Sequence, residues 1–291
     1  MQLSPALRQR LGRARLLAPG VLAAGGVGER PSAQRGEGIE FEEHRPYQPG
    51  DDARRIDPNL YARWGTPFVR EYNVGQQLTV TILVDASRSM APGAPSKLDV
   101  ARSVAAGLSF VALAGSDAVQ SAVWCGDRMA WQPRRSGSGR LGDLERWWAT
   151  FAPKGRSDLV AAVRRVRPEL PKNGLTVLIS DLWSDEAGAA IDALAAANQS
   201  VLVIQVLAAE EVHPERYTGG SLRMVDVESG DEVDVALGEA QITRYRALLG
   251  EWTDGLKQRA SAGRGRFVRV TTDDTAEHVF LRTLPAAGVL R

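Results

Sequence analysis

From Thr79 onward the chain alternates between short apolar runs and longer stretches in which apolar residues recur every three or four positions. The short runs are TVTILV (79–84), AVQSAVW (118–124), LTVLIS (175–180), SVLVIQVL (200–207) and GRFVRVT (265–271). Their length and β-branched content predict strands. The stretches between them, 96–114, 141–151, 157–167, 187–198 and 239–260, carry the helical period. TVLIS and VLVIQVL are apolar on both faces, which suits strands covered by helices on either side. Strand and helix alternating at this spacing predict right-handed crossovers and an α/β fold with a doubly wound, mostly parallel sheet. Within 208–238, LRMVDVES and DEVDVAL flank Gly230 and predict a β-hairpin inserted before the last long helix. Residues 19–38, rich in Gly, Ala, Pro and Ser without periodicity, read as a linker. Leu3, Leu7 and Leu11 share one helical face among Arg8, Arg10, Arg13 and Arg15. Such a helix docks on the main body or lies on a membrane or partner, and the pattern leaves both open. The expected organisation is residues 1–35 as helix and linker, 36–75 as a charged strand-and-loop segment packed on the main domain, and 76–291 as that domain.

Composition narrows the function classes. With 291 residues, 44% hydrophobic and 24% charged, the chain has the make-up of a globular protein with a substantial core. A formal net charge of +1 argues against global attraction to nucleic acid or anionic membranes. One cysteine, Cys125, forms no internal disulfide, so a reducing, cytoplasmic setting is expected. No apolar stretch approaches the roughly 18 residues of a membrane span, and the N-terminus lacks the continuous apolar core of a signal peptide.

The strand ends carry the chemistry. In open α/β sheets ligands bind beyond the carboxyl ends of the strands, where strand order reverses. The first strand runs into Asp85, Ser87 and Ser89, which near-extended backbone would turn to one face. LTVLIS runs into Asp181, and Ser157 follows Lys154-Gly155-Arg156 at a helix start. Ser and Asp at such places are also ordinary cap and turn residues, so one motif alone means little. Three loops together, with two carboxylates and three hydroxyls, make a hard oxygen site suited to Mg²⁺ or Mn²⁺. Histidine and thiolate ligands for zinc are missing from these loops.

DASRSM, KGRSD and ISDLW together resemble the metal-ion-dependent adhesion site of von Willebrand factor type A domains. The resemblance implies that Ser87, Ser89 and Ser157 bind the ion directly, that Asp85 and Asp181 act largely through water, and that one position stays open for a partner's carboxylate. The family usually has threonine where Ser157 stands. GEGIEFEEHRPYQPGDDARRIDPNLYARWGTPFVREY (36–72) resembles the signature of the domain-of-unknown-function family fifty-eight, a bacterial family coupled to type A domains. Its marks are the Arg-x-Tyr-x-Pro-Gly-Asp-Asp run at 45–52, Arg-Ile-Asp at 55–57 and Ala-Arg at 62–63, with Pro58 where tryptophan is common. Family members often occur beside MoxR-type AAA+ ATPases. The resemblance therefore implies an adaptor whose partner is such a motor, or a client offering an Asp or Glu to the metal.

Gly137, Gly139 and Gly142 satisfy G-x-G-x-x-G, but WQPRRS before them reads as polar and position 162 falls inside a predicted helix, which argues against a dinucleotide site. GAPSK (93–97) lacks the Gly-Lys-Ser/Thr of a phosphate loop. Trp147 and Trp148 suit core packing better than base stacking. None of His44, His213 and His278 ends a strand of the oxygen cluster, and no Gly-x-Ser-x-Gly elbow is present. Binding without catalysis is the expectation. The alternative is a metal-dependent phosphatase or other hydrolase using the same oxygens.

Overall fold

The computed structural model of the chain describes residues 3–18, 40–48, 56–73, 77–126, 128–217, 221–228, 230–236 and 238–291. The chain divides into two compact units, residues 28–77 and the remainder, 1–27 with 78–291. Helix α1 (Pro5–Leu11) belongs to the larger unit. Ser4 caps it and Leu7 and Leu11 are buried. The chain beyond it bridges Leu16 to Leu290. The leucine face thus has an occupant inside its own unit. The expected linker at 19–38 lies outside the described residues.

In the smaller unit, β1 (Glu40–Pro46) pairs antiparallel with β2 (Phe68–Asn73). Between them runs a helix that the strand-and-loop expectation missed, α2 (Pro58–Trp64). Its start signal was in the sequence. Asp57 Oδ1 accepts from the Asn59 and Leu60 N–H groups at 2.8 and 3.3 Å. Pro58 takes the first helical turn, where a missing N–H costs nothing. The departure from tryptophan at position 58 is therefore a well-formed helix N-terminus. The expected turn at Gln48-Pro49-Gly50-Asp51 and most of the acidic run after it lie outside the described residues.

The larger unit is built on a six-stranded sheet. Its strands are β3 (Thr79–Asp85), β4 (Ala118–Cys125), β5 (Arg128–Ser136), β6 (Leu175–Ser180), β7 (Ser200–Leu207) and β10 (Arg266–Thr271). Their order across the sheet is β10-β7-β6-β3-β4-β5, parallel throughout except for β5. All five expected strands form, and the sheet is the doubly wound, mostly parallel one predicted. Strand β5 was not expected, because WQPRRS reads as polar. It lies at the sheet edge, where charged residues are tolerated, and its register slips opposite Val119 to Ser121, leaving Pro133 in the irregularity.

Helices α3 (Lys97–Ala114) and α4 (Leu141–Ala149) cover one face together with α1 and the C-terminal helical run that opens at Ala276–His278. Helices α5 (Leu159–Val166), α6 (Ala187–Ala195) and α8 (Glu239–Ala262) cover the other; the short α7 (Ala209–Val212) follows β7. Trp148 is buried in the first layer, as core packing requires. The tip of the Phe280 ring packs against Gly107 in the middle of α3, where an added Cβ would sit 2.0 Å from it. The inserted hairpin forms as β8 (Ser221–Val225) and β9 (Glu232–Ala236), paired antiparallel. No helix among the described residues is long and apolar enough to cross a membrane.

From β3 the chain moves outward to β4 and β5, whereas from β6 it moves the opposite way to β7 and β10. The order reverses between β3 and β6, so the crevice beyond their carboxyl ends is the place where the fold opens to a ligand.

Candidate metal centre

Strand β3 ends in that crevice on Asp85, which is fully buried. Its Oδ1 accepts the Ser87 backbone N–H at 2.8 Å. Its Oδ2 accepts the hydroxyls of Ser157 at 2.9 Å and Ser180 at 2.8 Å. Ser87 Oγ lies 2.9 Å from Ser89 Oγ. Asp85, Ser87, Ser89 and Ser157 are thus brought together as expected, but the route differs. Ser87 is extended, whereas Ser89 stands in a 3₁₀ turn, Arg88–Met90. Burial of Met90 anchors that turn, so a tightened backbone, not strand alternation, presents Ser89.

Backbone contacts hold the second loop against the first. Lys154 N–H donates to Ala86 O at 2.8 Å, and Arg88 N–H donates to Gly155 O at 2.9 Å. Gly155 has φ +71°, and a Cβ there would meet Gly126 at 3.0 Å, so only glycine allows the approach. Ser157 comes just before α5, whose cap is Asp158; it does not open the helix itself. The Trp124 indole N–H points at Ser157 Oγ from 3.4 Å.

Asp181 follows β6 into the same crevice, but its carboxylate is turned elsewhere. Lys97 Nζ donates to Asp181 Oδ2 at 2.9 Å and to Glu211 Oε1 at 2.8 Å. The lysine side chain is 1% exposed. Burial pulls the Lys97 ammonium down, and the two carboxylates more than offset this, leaving it above its ordinary value of 10.5. Asp181 Oδ1 also accepts the Trp183 N–H at 3.3 Å. Between them buried Leu182 holds φ +60°, a conformation that costs a leucine about 1–3 kcal/mol and recurs at functional sites.

Among the described residues, no such cation is bonded to Asp85. Burial, with Asp181 nearby adding to it, raises its carboxyl from 3.8 to about 6 against the lowering hydrogen bonds of Ser87 and Ser180. One side of the crevice is an ion triad, a lysine held between two carboxylates, and the other is a carboxylate among neutral hydroxyls.

Sequence reasoning missed Ser180, Lys97 and Glu211. Ser180 is adjacent to Asp181 and was passed over as a strand residue. Lys97 sat in GAPSK, set aside as a failed phosphate loop. A signal was available: lysine directly after the Ser96 cap opposes the helix dipole, which favours acids in the first turn. A cation there points to a tertiary partner. The Gly137, Gly139 and Gly142 motif does follow a strand, the unexpected β5, and precedes α4. That strand is an antiparallel edge and position 162 is helical, so the geometry is still not that of a dinucleotide crossover.

Among the described residues no group of three or more His, Cys, Asp or Glu is arranged to hold a metal ion. Any ion here depends on the hydroxyls. Six oxygens at about 2.1 Å in an octahedron place neighbouring ligands about 3.0 Å apart. Ser87 Oγ to Ser89 Oγ, at 2.9 Å, is close to that separation, so this pair fits two adjacent positions of a small divalent cation.

Residues 43–249 match the family described as "Protein of unknown function DUF58". The uncharacterized proteins Rv1480 of Mycobacterium tuberculosis and Mb1516 of Mycobacterium bovis are each 34% identical over 200 residues, covering 67% of this chain. The chain spans 62% of the length of these relatives. Among solved structures, BatB from Bacteroides thetaiotaomicron is similar at a TM-score of 0.47 and 18% identity, over 72% of this chain and 98% of that one. The manganese-loaded TRAP protein of Plasmodium vivax is similar at 0.34 and 20%, over 45% and 57%.

Proposed function

The chain belongs to the DUF58 family, and from that premise we propose that it is a non-enzymatic, metal-dependent protein-binding module. Ser87, Ser89 and Ser157 hold Mg²⁺ or Mn²⁺ directly, Asp85 stands behind them through water, and Asp181 lies one step further out. The observation that carries this reading is the asymmetry of the crevice. A fully buried carboxylate, with no cationic side chain among the described residues within its hydrogen-bonding reach, faces a hydroxyl pair close to the spacing of two metal ligands. A cation supplies what that side lacks, just as Lys97 supplies it to Asp181.

Neutral direct ligands leave such an ion electrophilic, so it takes up a carboxylate from outside. Hydrolysis is the weaker reading. Metal-dependent hydrolases hold their ions mainly through carboxylates, whereas the direct ligands proposed here are hydroxyls. The partner we propose is a MoxR-type AAA+ ATPase, or a client delivered to it, presenting an Asp or Glu to the ion. The test is a pull-down of the full chain in Mg²⁺ against chelator. The reading expects such an ATPase to be retained in Mg²⁺ and lost with chelator or with Ser87→Ala/Ser89→Ala. Equal recovery in all three removes it, and turnover of a generic aryl phosphate only with Mg²⁺ would favour the hydrolase.

A further inference from the structure

The β8–β9 hairpin carries a carboxylate to the same crevice. Its turn is well made: Asp226 Oδ1 accepts the Glu228 N–H at 2.7 Å, and Asp226 O accepts the Gly230 N–H at 2.7 Å. Gly230 has φ +81°, which the reversal requires. The turn directs Glu228 inward. Its side chain is 19% exposed, and Oε1 accepts the backbone N–H of Ser157 at 3.2 Å. Glu228 lines one cleft of 600 Å³ together with Ser89 and Lys97. The Arg156 guanidinium stands 3.9 Å from Oε2 and is itself 75% exposed, which makes a weak, solvent-screened pair. A glutamate has thus been folded back from an exposed hairpin onto the backbone of a candidate metal-binding serine.

Position says what it is for. Lys97 is bonded to Asp181 and Glu211, on the far side of the crevice from the hydroxyls, and among the described residues no cationic side chain is bonded to Asp85. Glu228 stands on the hydroxyl side, bonded to the backbone of Ser157 and sharing a cleft with Ser89. Resting on the metal reading above, we infer that Glu228 is the chain's own acidic ligand to that ion, occupying the position a partner's carboxylate would take. The hairpin is then an in-chain competitor, and an acidic partner binds by displacing Glu228.

The test is Mn²⁺ titration of the full chain by calorimetry, with water-proton relaxation to count waters on the bound ion. Glu228→Gln keeps the side chain's size and removes its charge. We expect it to weaken Mn²⁺ about tenfold, since fewer charged ligands lower affinity, and to add one water to the ion. Glu232→Gln removes the same charge from the same hairpin, where the residue is exposed and pairs with Arg223, and should change neither. If Glu228→Gln binds with wild-type affinity and hydration, or if Glu232→Gln weakens binding equally, the inference is overturned while the metal site stands. If the wild-type chain takes up no Mn²⁺, the metal reading itself fails. A partner-mimicking probe, free acetate, should bind the Mn²⁺-loaded Glu228→Gln chain more tightly than the wild type; equal binding overturns the competitor role.

Discussion

Asp85 and Asp181 end neighbouring parallel strands, and in the sequence they look equivalent: each is an acid directly after an apolar run. The structure gives them opposite surroundings. Asp181 is ion-paired with Lys97, which Glu211 holds from its other side. Asp85 is wrapped by Ser87, Ser157 and Ser180, which donate hydrogen bonds but bring no charge. A buried carboxylate stays ionised cheaply only beside a cation. The Asp181 side therefore holds itself together and the Asp85 side is built to receive something. That division separates the part of the crevice that frames the site from the part that binds.

The sharpest way to break the comparison is to take away the lysine. Lys97→Met leaves Asp181 and Glu211 facing each other without a cation, and should cost about 3–5 kcal/mol of folding stability, read by urea denaturation. Asp85→Asn should do the reverse to the other side. Metal-free stability at pH 7 should hold or rise, because a neutral group replaces a strained charge. Mn²⁺ affinity should fall about a hundredfold, roughly 3 kcal/mol, by calorimetry. A Lys97→Met chain as stable as the wild type would mean that the triad is not what frames the crevice.

The next effect is pH-dependent. The folded-state value of Asp85 is raised, so the folded state favours its protonated form. The stability this contributes is present below 3.8 and is lost as pH rises through about 6. Metal-free wild type should lose on the order of 2–3 kcal/mol relative to Asp85→Asn across that window, and saturating Mn²⁺ should remove the difference. The Lys97 side has the same sign in a different window: its contribution is present below 10.5 and is lost only above the raised value. It adds no slope between pH 4 and 8. The smallest effect is expected from Ser157→Thr. The added methyl restricts the hydroxyl's rotamers, and Mn²⁺ affinity should rise about threefold, or roughly 0.7 kcal/mol.

Most of the sheet was legible from the chain. TVTILV, LTVLIS and SVLVIQVL are buried on both faces, and a strand enclosed by helices must be apolar throughout. The edge strand β5 was not legible, because solvent on one side lets WQPRRS be as polar as a loop. Helix α2 was hidden for a different reason: a seven-residue helix is too short to show a period, and only Asp57-Pro58 announced it.

The site divides in the same way. The sequence by itself determined which strand ends bear oxygen, because an apolar run that stops on Asp is a local pattern. It placed Asp85, Ser87, Ser89, Ser157 and Asp181 at strand ends and on the loops beside them. What it could not determine was which charges meet. Lys97 reaches Asp181 across 84 residues of chain and Glu211 across 114, and Glu228 reaches Ser157 across 71. Burial patterns are written residue by residue, since each side chain meets solvent or core where it stands. Compensation between charges depends on distance in space, which only the reversal of strand order between β3 and β6 and the fold-back of the hairpin decided.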